Sequence, residues 1–174
     1  EMCIRDSDGT VKQVPEGTTS LDVAMSISEG LARNVLAADV DGEVWDPQRP
    51  LSCDCTLKLL TSRDDEGMNT LWHSSAHLMA EALEALYPGI KFWVGPPVEN
   101  GFYYDVDFGE HTFTDKDIPA VEQKMMELAK AKNPFVRKDM SKAEALGYFT
   151  DKGDEYKLDS VSYTHLTLPT IRSV

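Results

Sequence analysis

Two of the four histidines in this 174-residue chain, His73 and His77, stand four positions apart in the segment LWHSSAHLMAEAL. On a helix this spacing places both imidazoles on one side, close enough to hold one metal ion or one water molecule. The spacing leaves three interpretations open: structural or surface histidines, half of a metal site, or groups for acid–base chemistry and substrate contact. The near-neutral pKa of imidazole suits the last of these roles.

The residues around the pair weaken the metal interpretation. A metalloprotease helix of the type H-E-x-x-H needs Glu at position 74, where this chain has Ser74. A zinc site also needs a third and usually a fourth ligand. His111, Cys53 and Cys55 do not stand at a helpful spacing. We therefore predict no metal ligands among the site residues.

Composition excludes several classes of protein. A chain that is 41% hydrophobic and 27% charged is typical of globular proteins, and three cysteines are too few for a disulfide framework. No apolar run approaches the roughly 20 residues of a membrane-spanning helix, and no secretory signal opens the chain. The sequence thus predicts a cytoplasmic protein with no membrane partner.

The net charge of −13 argues against autonomous nucleic-acid binding, because phosphate contacts need clustered Lys and Arg. Residues 115–142 are nevertheless rich in basic side chains. If RNA is a partner, this segment is the favoured place for backbone contact, and the alternative is a solvated helix face. The basic residues of the segment are Lys116, Lys124, Lys130, Lys132, Arg137, Lys138 and Lys142.

The elements of residues 8–61 predict a β-rich domain with one helix. Asp-Gly pairs at 8–9 and 41–42 mark hairpin turns beside alternating strands. Between them we predict a helix with Ser20 as its N-cap and Gly30 at its end. A strand at TLKLLT completes the order of a ubiquitin-like β-grasp fold.

After the polar segment SRDDEGMN, a helix is predicted from Glu66 to Tyr87, stopped by Pro88. His73 and His77 lie opposite its apolar stripe, which argues against a place in the core. We expect that stripe to face the core, and its members are Leu71, Ser75, Leu78, Ala82 and Leu86.

The remaining elements alternate in type, which predicts an α+β fold. Strand-like runs occupy residues 90–94 and 101–108, and a helix follows at 118–132 with Thr114 or Asp115 as its cap. A capping box, Ser141 to Glu144, opens a third helix, and DEYKL begins another strand.

Three motifs occur in the order HSSAHLMAEAL, VGPPVENGFYYDVDF and EYKL. Together they resemble the start of the editing domain of threonyl-tRNA synthetases, and the β-grasp region before them resembles the TGS domain of that family. A TGS-like unit alone would be weak evidence, because GTPases and stringent-response synthetases carry one too. The resemblance implies a TGS domain at residues 8–61 followed by an incomplete α+β editing domain at 64–160.

The resemblance also implies roles for single residues. The parent enzyme would ligate threonine to its tRNA with ATP and hydrolyse mischarged seryl-tRNA. His73 would contact the terminal ribose or the attacking water, and His77 would orient substrate or water. Tyr104 would offer a hydroxyl to the substrate, and Lys157 would stabilise negative charge or transfer a proton. The partner would be the 3′ acceptor end of threonine-specific tRNA, and the parent would be a homodimer.

The chain departs from the family pattern at several places. The Cys-x-x-x-His element that completes the family's editing pocket does not occur, nor do the aminoacylation and anticodon-binding domains. ATP, magnesium and zinc are therefore expected for the missing catalytic domain, and no cofactor for this chain. We expect a truncated chain that neither charges tRNA nor edits at a useful rate.

The ends, MCIRDS at 2–7 and VSYTHLTLPTI at 161–171, resemble translated sequencing-adaptor read-through. We therefore expect no functional role for residues 1–7 and 161–174, including Cys3 and His165, and we expect the first TGS strand to be missing.

Two other functions stay open. A free-standing editing hydrolase of the alanyl-synthetase type shares the histidine pair and normally uses zinc, although the TGS-like unit argues against it. A TGS binding module with incidental histidines would have no catalytic function.

Overall fold

The structure, a computed structural model, describes residues 1–6, 8–133 and 138–163. Arg137 and His165 therefore lie outside the described residues. The chain divides between Ser74 and Ser75 into two compact units. Within the described residues, none of the helices has both the length and the apolar composition needed to cross a bilayer.

The first unit contains a five-stranded sheet in the order β2-β1-β5-β3-β4. β1 runs antiparallel to β2 and parallel to β5, and β3 runs antiparallel to both β4 and β5. The strands are β1 (Met2–Asp6), β2 (Val11–Val14), β3 (Ala37–Val40), β4 (Glu43–Trp45) and β5 (Cys55–Leu60).

The expectation that the first strand is missing is wrong. Residues 2–6 form β1 next to the central strand, with Ile4 opposite Cys55 of β5. Met2 and Ile4 are 4% and 3% exposed, because alternate side chains of a strand point to the same face and these two point into the core.

The hairpin predicted at Asp41-Gly42 is confirmed. Asp41 has φ 53° and Gly42 has φ 88°, and the two residues join β3 to β4. Positive φ at both central residues matches the twist of a two-residue hairpin, and Asp-Gly tolerates it.

The helix of the first unit differs from prediction at both ends. Its N-cap is Thr19, which forms a capping box with Asp22, and the helix α1 (Ser20–Ile27) ends before Gly30. Ser28 is extended, and its hydroxyl caps a second helix, α2 (Glu29–Asn34), which contains Gly30. A capping serine thus splits the predicted helix, because its hydroxyl offers the backbone an alternative to helical bonding.

The long helix α3 (Asp65–Leu86) begins and ends within one residue of its predicted bounds. The predicted core stripe is correct only in part: Ala82 is buried, Ser75 and Leu78 are half-buried, and the two end residues are exposed. Leu71 and Leu86 are each 36% exposed, whereas Ala76, Ala82 and Leu83 are buried. The apolar arc of this helix is wide, so helical spacing alone does not fix which part of it faces the core.

The second unit has short paired strands followed by three helices. β6 (Lys91–Phe92) pairs with β9 (Val106–Asp107), and β7 (Pro97–Val98) pairs with β8 (Gly101–Phe102). The strand-like runs predicted at 90–94 and 101–108 therefore pair, but the first is a strand only at 91–92 and the second is divided into β8 and β9. The core of the second unit contains Ala82, Leu83 and Val121, with aromatic and aliphatic side chains packed around them.

Besides the C-terminal part of α3, the described residues of this unit form α4 (Ile118–Ala131), α5 (Lys142–Lys152) and α6 (Glu155–Tyr163). The cap of α4 is Asp117, whose carboxylate accepts hydrogen bonds from Thr114, so neither predicted cap residue is correct. The capping box of Ser141 and Glu144 is confirmed.

The strand predicted at DEYKL is a helix, α6. Gly153 ends α5 with a left-handed φ of 68°, and the Asp154 side chain then accepts from the Lys157 amide at 3.0 Å. This is the bond of an N-cap residue to the third residue of a new helix, and it starts α6 directly after α5.

Candidate functional site

Lys157 lies in the first turn of α6, and its side chain reaches back to the β6–β9 pair. The ammonium nitrogen donates to the main-chain oxygen of Trp93 at 2.7 Å and lies 6.0 Å from the centroid of the Tyr104 ring. Burial lowers the pKa of Lys157, and the Asp154 carboxylate opposes that effect. A lysine in this state holds less tightly to its proton, which suits proton transfer as well as charge stabilisation.

Tyr104 is held between Gly95 and Phe92. The Phe92 and Tyr104 rings meet edge to face, with centroids 5.3 Å apart. A Cβ atom on Gly95 would lie 2.4 Å from Cδ2 of the Tyr104 ring, so only glycine fits beside it. Burial raises the pKa of Tyr104, and the Asp154 charge raises it further, so the hydroxyl stays protonated and able to donate at neutral pH.

The structure thus brings together two of the four predicted site residues, Lys157 and Tyr104. Both belong to the second unit, with the Trp93 carbonyl between the lysine and the strand pair. Sequence reasoning missed Trp93, Gly95 and Tyr156. The contacts of these residues could not be predicted, because the sequence analysis predicts a strand after Asp154. The structure has a helix there, and its first turn faces β6.

His73 and His77 lie one turn apart on α3, and both are exposed. Their exposure agrees with the prediction that they lie outside the core. The division of the chain assigns His73 to the first unit and His77 to the second. Their roles at a site stay predictions.

The other candidate ligands take different contacts. The His111 ring stacks on Tyr87, with centroids 4.8 Å apart, and its Nε2 lies 3.3 Å from a carboxylate oxygen of Asp117. Cys53 is exposed and Cys55 is buried, and both are free thiols. Across residues 1–6, 8–133 and 138–163, His, Cys, Asp and Glu side chains form no group of three or more that could hold a metal ion.

Comparison with known proteins finds one domain family and several similar enzymes. A family model described as the TGS domain matches residues 5–61. The threonine–tRNA ligase of Cytophaga hutchinsonii is 59% identical over 152 residues, or 87% of this chain. The threonine–tRNA ligase of Parabacteroides distasonis is 54% identical over 155 residues. That of Chlorobium phaeovibrioides is 42% identical over 158 residues.

The chain matches the N-terminal region of threonine–tRNA ligases. The first unit contains a TGS domain with the ubiquitin-like β-grasp fold, and the whole chain is α+β, as the sequence predicted. The chain spans 24% of the length of these threonine–tRNA ligases.

Proposed function

We propose that this chain is the N-terminal region of a threonine–tRNA ligase and that its second unit supplies part of a site that hydrolyses mischarged seryl-tRNA. The observation that carries the proposal is the Lys157 ammonium beside the Tyr104 ring. The ligation of threonine to tRNA with ATP belongs, in this proposal, to the whole protein, together with its magnesium, its zinc, its homodimeric state and its place in the cytoplasm.

The physical need for such a site comes from the substrates. Serine lacks one methyl group of threonine, and one methyl is worth only about 1–3 kcal/mol in a pocket, roughly 10- to 200-fold. Translation needs stronger discrimination, so a second site must remove serine after it has been attached. Its substrate is the ester that joins serine to the terminal ribose of the tRNA.

The proposed reaction is hydrolysis of that ester. The oxygen of a water molecule bonds to the carbonyl carbon, the bond from that carbon to the ribose oxygen breaks, and the ribose oxygen takes up a proton. Lys157 stabilises the negative charge on the carbonyl oxygen or passes the proton, and its lowered pKa supports either role. Tyr104 binds the substrate through its hydroxyl.

His73 and His77 complete the proposal from α3. His73 contacts the terminal ribose or the attacking water, and His77 orients substrate or water beside it. Their support is the spacing of one helical turn and the exposure of both residues. The partner of the site is the 3′ acceptor end of threonine-specific tRNA.

The test uses a chimaera in which this chain replaces the matching N-terminal region of the Cytophaga hutchinsonii ligase. We expect the chimaera to release serine from seryl-tRNA. His73→Ala or Lys157→Gln should slow that release by about 100-fold or more, because each removes a group that acts on the reacting atoms. Threonine ligation by the same variants should be unchanged.

His111→Ala is the matched control, since this histidine stacks on Tyr87 in the second unit. Unchanged release of serine after replacement of both His73 and His77 with Ala would sink the proposal and favour a TGS binding module. Loss of release on removal of stoichiometric zinc would favour a hydrolase of the alanyl-synthetase type.

A further inference from the structure

An exposed aromatic pair lies next to the proposed site. The rings of Trp93 and Tyr156 stack with centroids 5.6 Å apart and an interplanar angle of 15°. Trp93 is 49% exposed, so half of this large side chain stays in water. Core packing therefore does not explain the position of the Trp93 side chain. Its ring instead covers the ring of Tyr156.

The stack joins α6 to the strand pair. The Trp93 amide donates to the main-chain oxygen of Asp105 at 3.0 Å, which continues the β6–β9 pairing by one residue. Tyr156 lies in the first turn of α6, and its hydroxyl donates to Asp107 of β9 at 3.3 Å.

Charged groups surround the same contact. Lys91 of β6 pairs with Glu155 of α6 at 3.2 Å, and its ammonium lies 5.7 Å from the centroid of the Tyr156 ring. This exposed ion pair contributes little by itself, since water screens it. The stacked rings are the apolar part of the contact, and their packing does not depend on charges that water screens.

Lys157 directly follows Tyr156, and its ammonium donates to the carbonyl of Trp93. One residue, Trp93, therefore contacts both neighbours: its ring holds Tyr156 and its carbonyl holds Lys157. Fixing a lysine side chain costs rotamer entropy, so a held lysine needs a fixed acceptor and a fixed backbone.

We propose that the stacked rings of Trp93 and Tyr156 clamp the first turn of α6 onto the strand pair and thereby hold the Lys157 ammonium beside Tyr104. Both aromatic residues are then positioning residues for the hydrolysis, a role that rests on the function proposed above. The clamp itself is a property of the second unit and is measurable without any substrate.

The first measurement is the titration of Lys157 in the whole chain. It is monitored by competitive amine labelling across a pH series, with mass spectrometry of the labelled peptide. Trp93→Ala removes the ring and keeps the carbonyl. We expect the labelling midpoint of Lys157 to rise toward its ordinary value of 10.5, because the side chain becomes more hydrated. Of the ionisable groups on the packed elements, Tyr104 and Asp154 lie beside Lys157. Lys91 and Asp107 contact its neighbour Tyr156, and Glu155 pairs with Lys91.

Two further variants keep the test decisive. Tyr156→Leu breaks the stack from the α6 side and should raise the midpoint in the same way. Trp93→Phe retains an aromatic ring and should restore most of the original midpoint. Tyr103→Ala is the control, because Tyr103 is 48% exposed in the same segment and is not part of the stack. It should leave the midpoint unchanged.

The second measurement is serine release by the ligase chimaera. Trp93→Ala should slow release by about 10- to 100-fold, the effect of misplacing a reacting group, while threonine ligation is unchanged. A midpoint that does not move in Trp93→Ala and Tyr156→Leu overturns the clamp. A midpoint that moves while Lys157→Gln leaves serine release unchanged overturns the proposed function and retains the clamp.

Discussion

Gly95 lies so close to Tyr104 that the two residues share a space with no room for one more carbon atom. A Cβ on Gly95 would be 2.4 Å from Cδ2 and 2.6 Å from Cε2 of the ring. The backbone before β7 is therefore one wall of the niche that holds Tyr104.

Gly95→Ala should displace the Tyr104 ring or the backbone beside it. We expect the free energy of unfolding to fall by about 1–3 kcal/mol, the usual cost of overpacking. Serine release by the ligase chimaera should fall with it. Gly147→Ala is the matched control, because nothing lies within 4 Å of its Cβ and the residue is inside α5, where Ala is favoured. Equal unfolding free energies for the two variants, measured by urea denaturation, would contradict the close packing.

Asp154→Asn should separate the two effects that act on Lys157. The amide oxygen can still cap α6, but the negative charge that raises the pKa of Lys157 is gone. We expect the labelling midpoint of Lys157 to fall below that of the parent chain. Asp151→Asn, in the last turn of α5, is the control. A midpoint that does not fall on Asp154→Asn, although the cap is retained, would contradict the role assigned to the charge.

Asp117 should make the second unit sensitive to acid. Its pKa lies below the ordinary value of 3.8, because the Thr114 amide donates to it, as do the Thr114 and Tyr87 hydroxyls. A carboxyl with a lowered pKa contributes stability above its unfolded pKa, and that stability is lost as pH falls through the folded pKa. As the pH falls below about 4, the free energy of unfolding of Asp117→Asn should decrease less steeply than that of the parent chain.

The control for that experiment is Asp115→Asn, an exposed neighbour before the same helix. It should follow the parent curve. Identical slopes for the Asp117 variant and the parent, measured by urea denaturation at each pH, would rule out the carboxylate as a source of the acid sensitivity.

The chain by itself should not release serine from seryl-tRNA at a useful rate. Lys157 and Tyr104 come together in it, but the proposal assigns the complete pocket to a protein about four times as long. The measurement is the loss of radiolabelled serine from seryl-tRNA, with the ligase chimaera as the positive control. Release by the chain that disappears in His73→Ala would refute this expectation.

The sequence predicted those elements whose signals are local. The Asp41-Gly42 turn and the Ser141–Glu144 capping box each need only a few adjacent residues, and both are confirmed. Gly153 and Asp154 carried a local signal too, since they end one helix and cap the next. The prediction missed it because EYKL has strand-like alternation.

The site could be predicted only in part, because its contacts join distant residues. Lys157 and Trp93 are 64 positions apart, and nothing in either segment alone indicates that the ammonium donates to that carbonyl. The face of α3 that is buried likewise depends on the partners it packs against. Family resemblance supplied Lys157 and Tyr104, whereas Gly95 and the aromatic clamp required the structure.

The strand order of the first unit has a consequence for how it folds. β5 is the last strand of that unit in the chain, yet it lies at the centre of the sheet, between β1 and β3. Each of the pairs β1–β2 and β3–β4 closes over a short turn, whereas β5 must pair with β1 about 50 positions away. Long loops close more slowly than short ones. We therefore expect the two hairpins to form early and the pairing of β5 with β1 and β3 to be the slow step of folding.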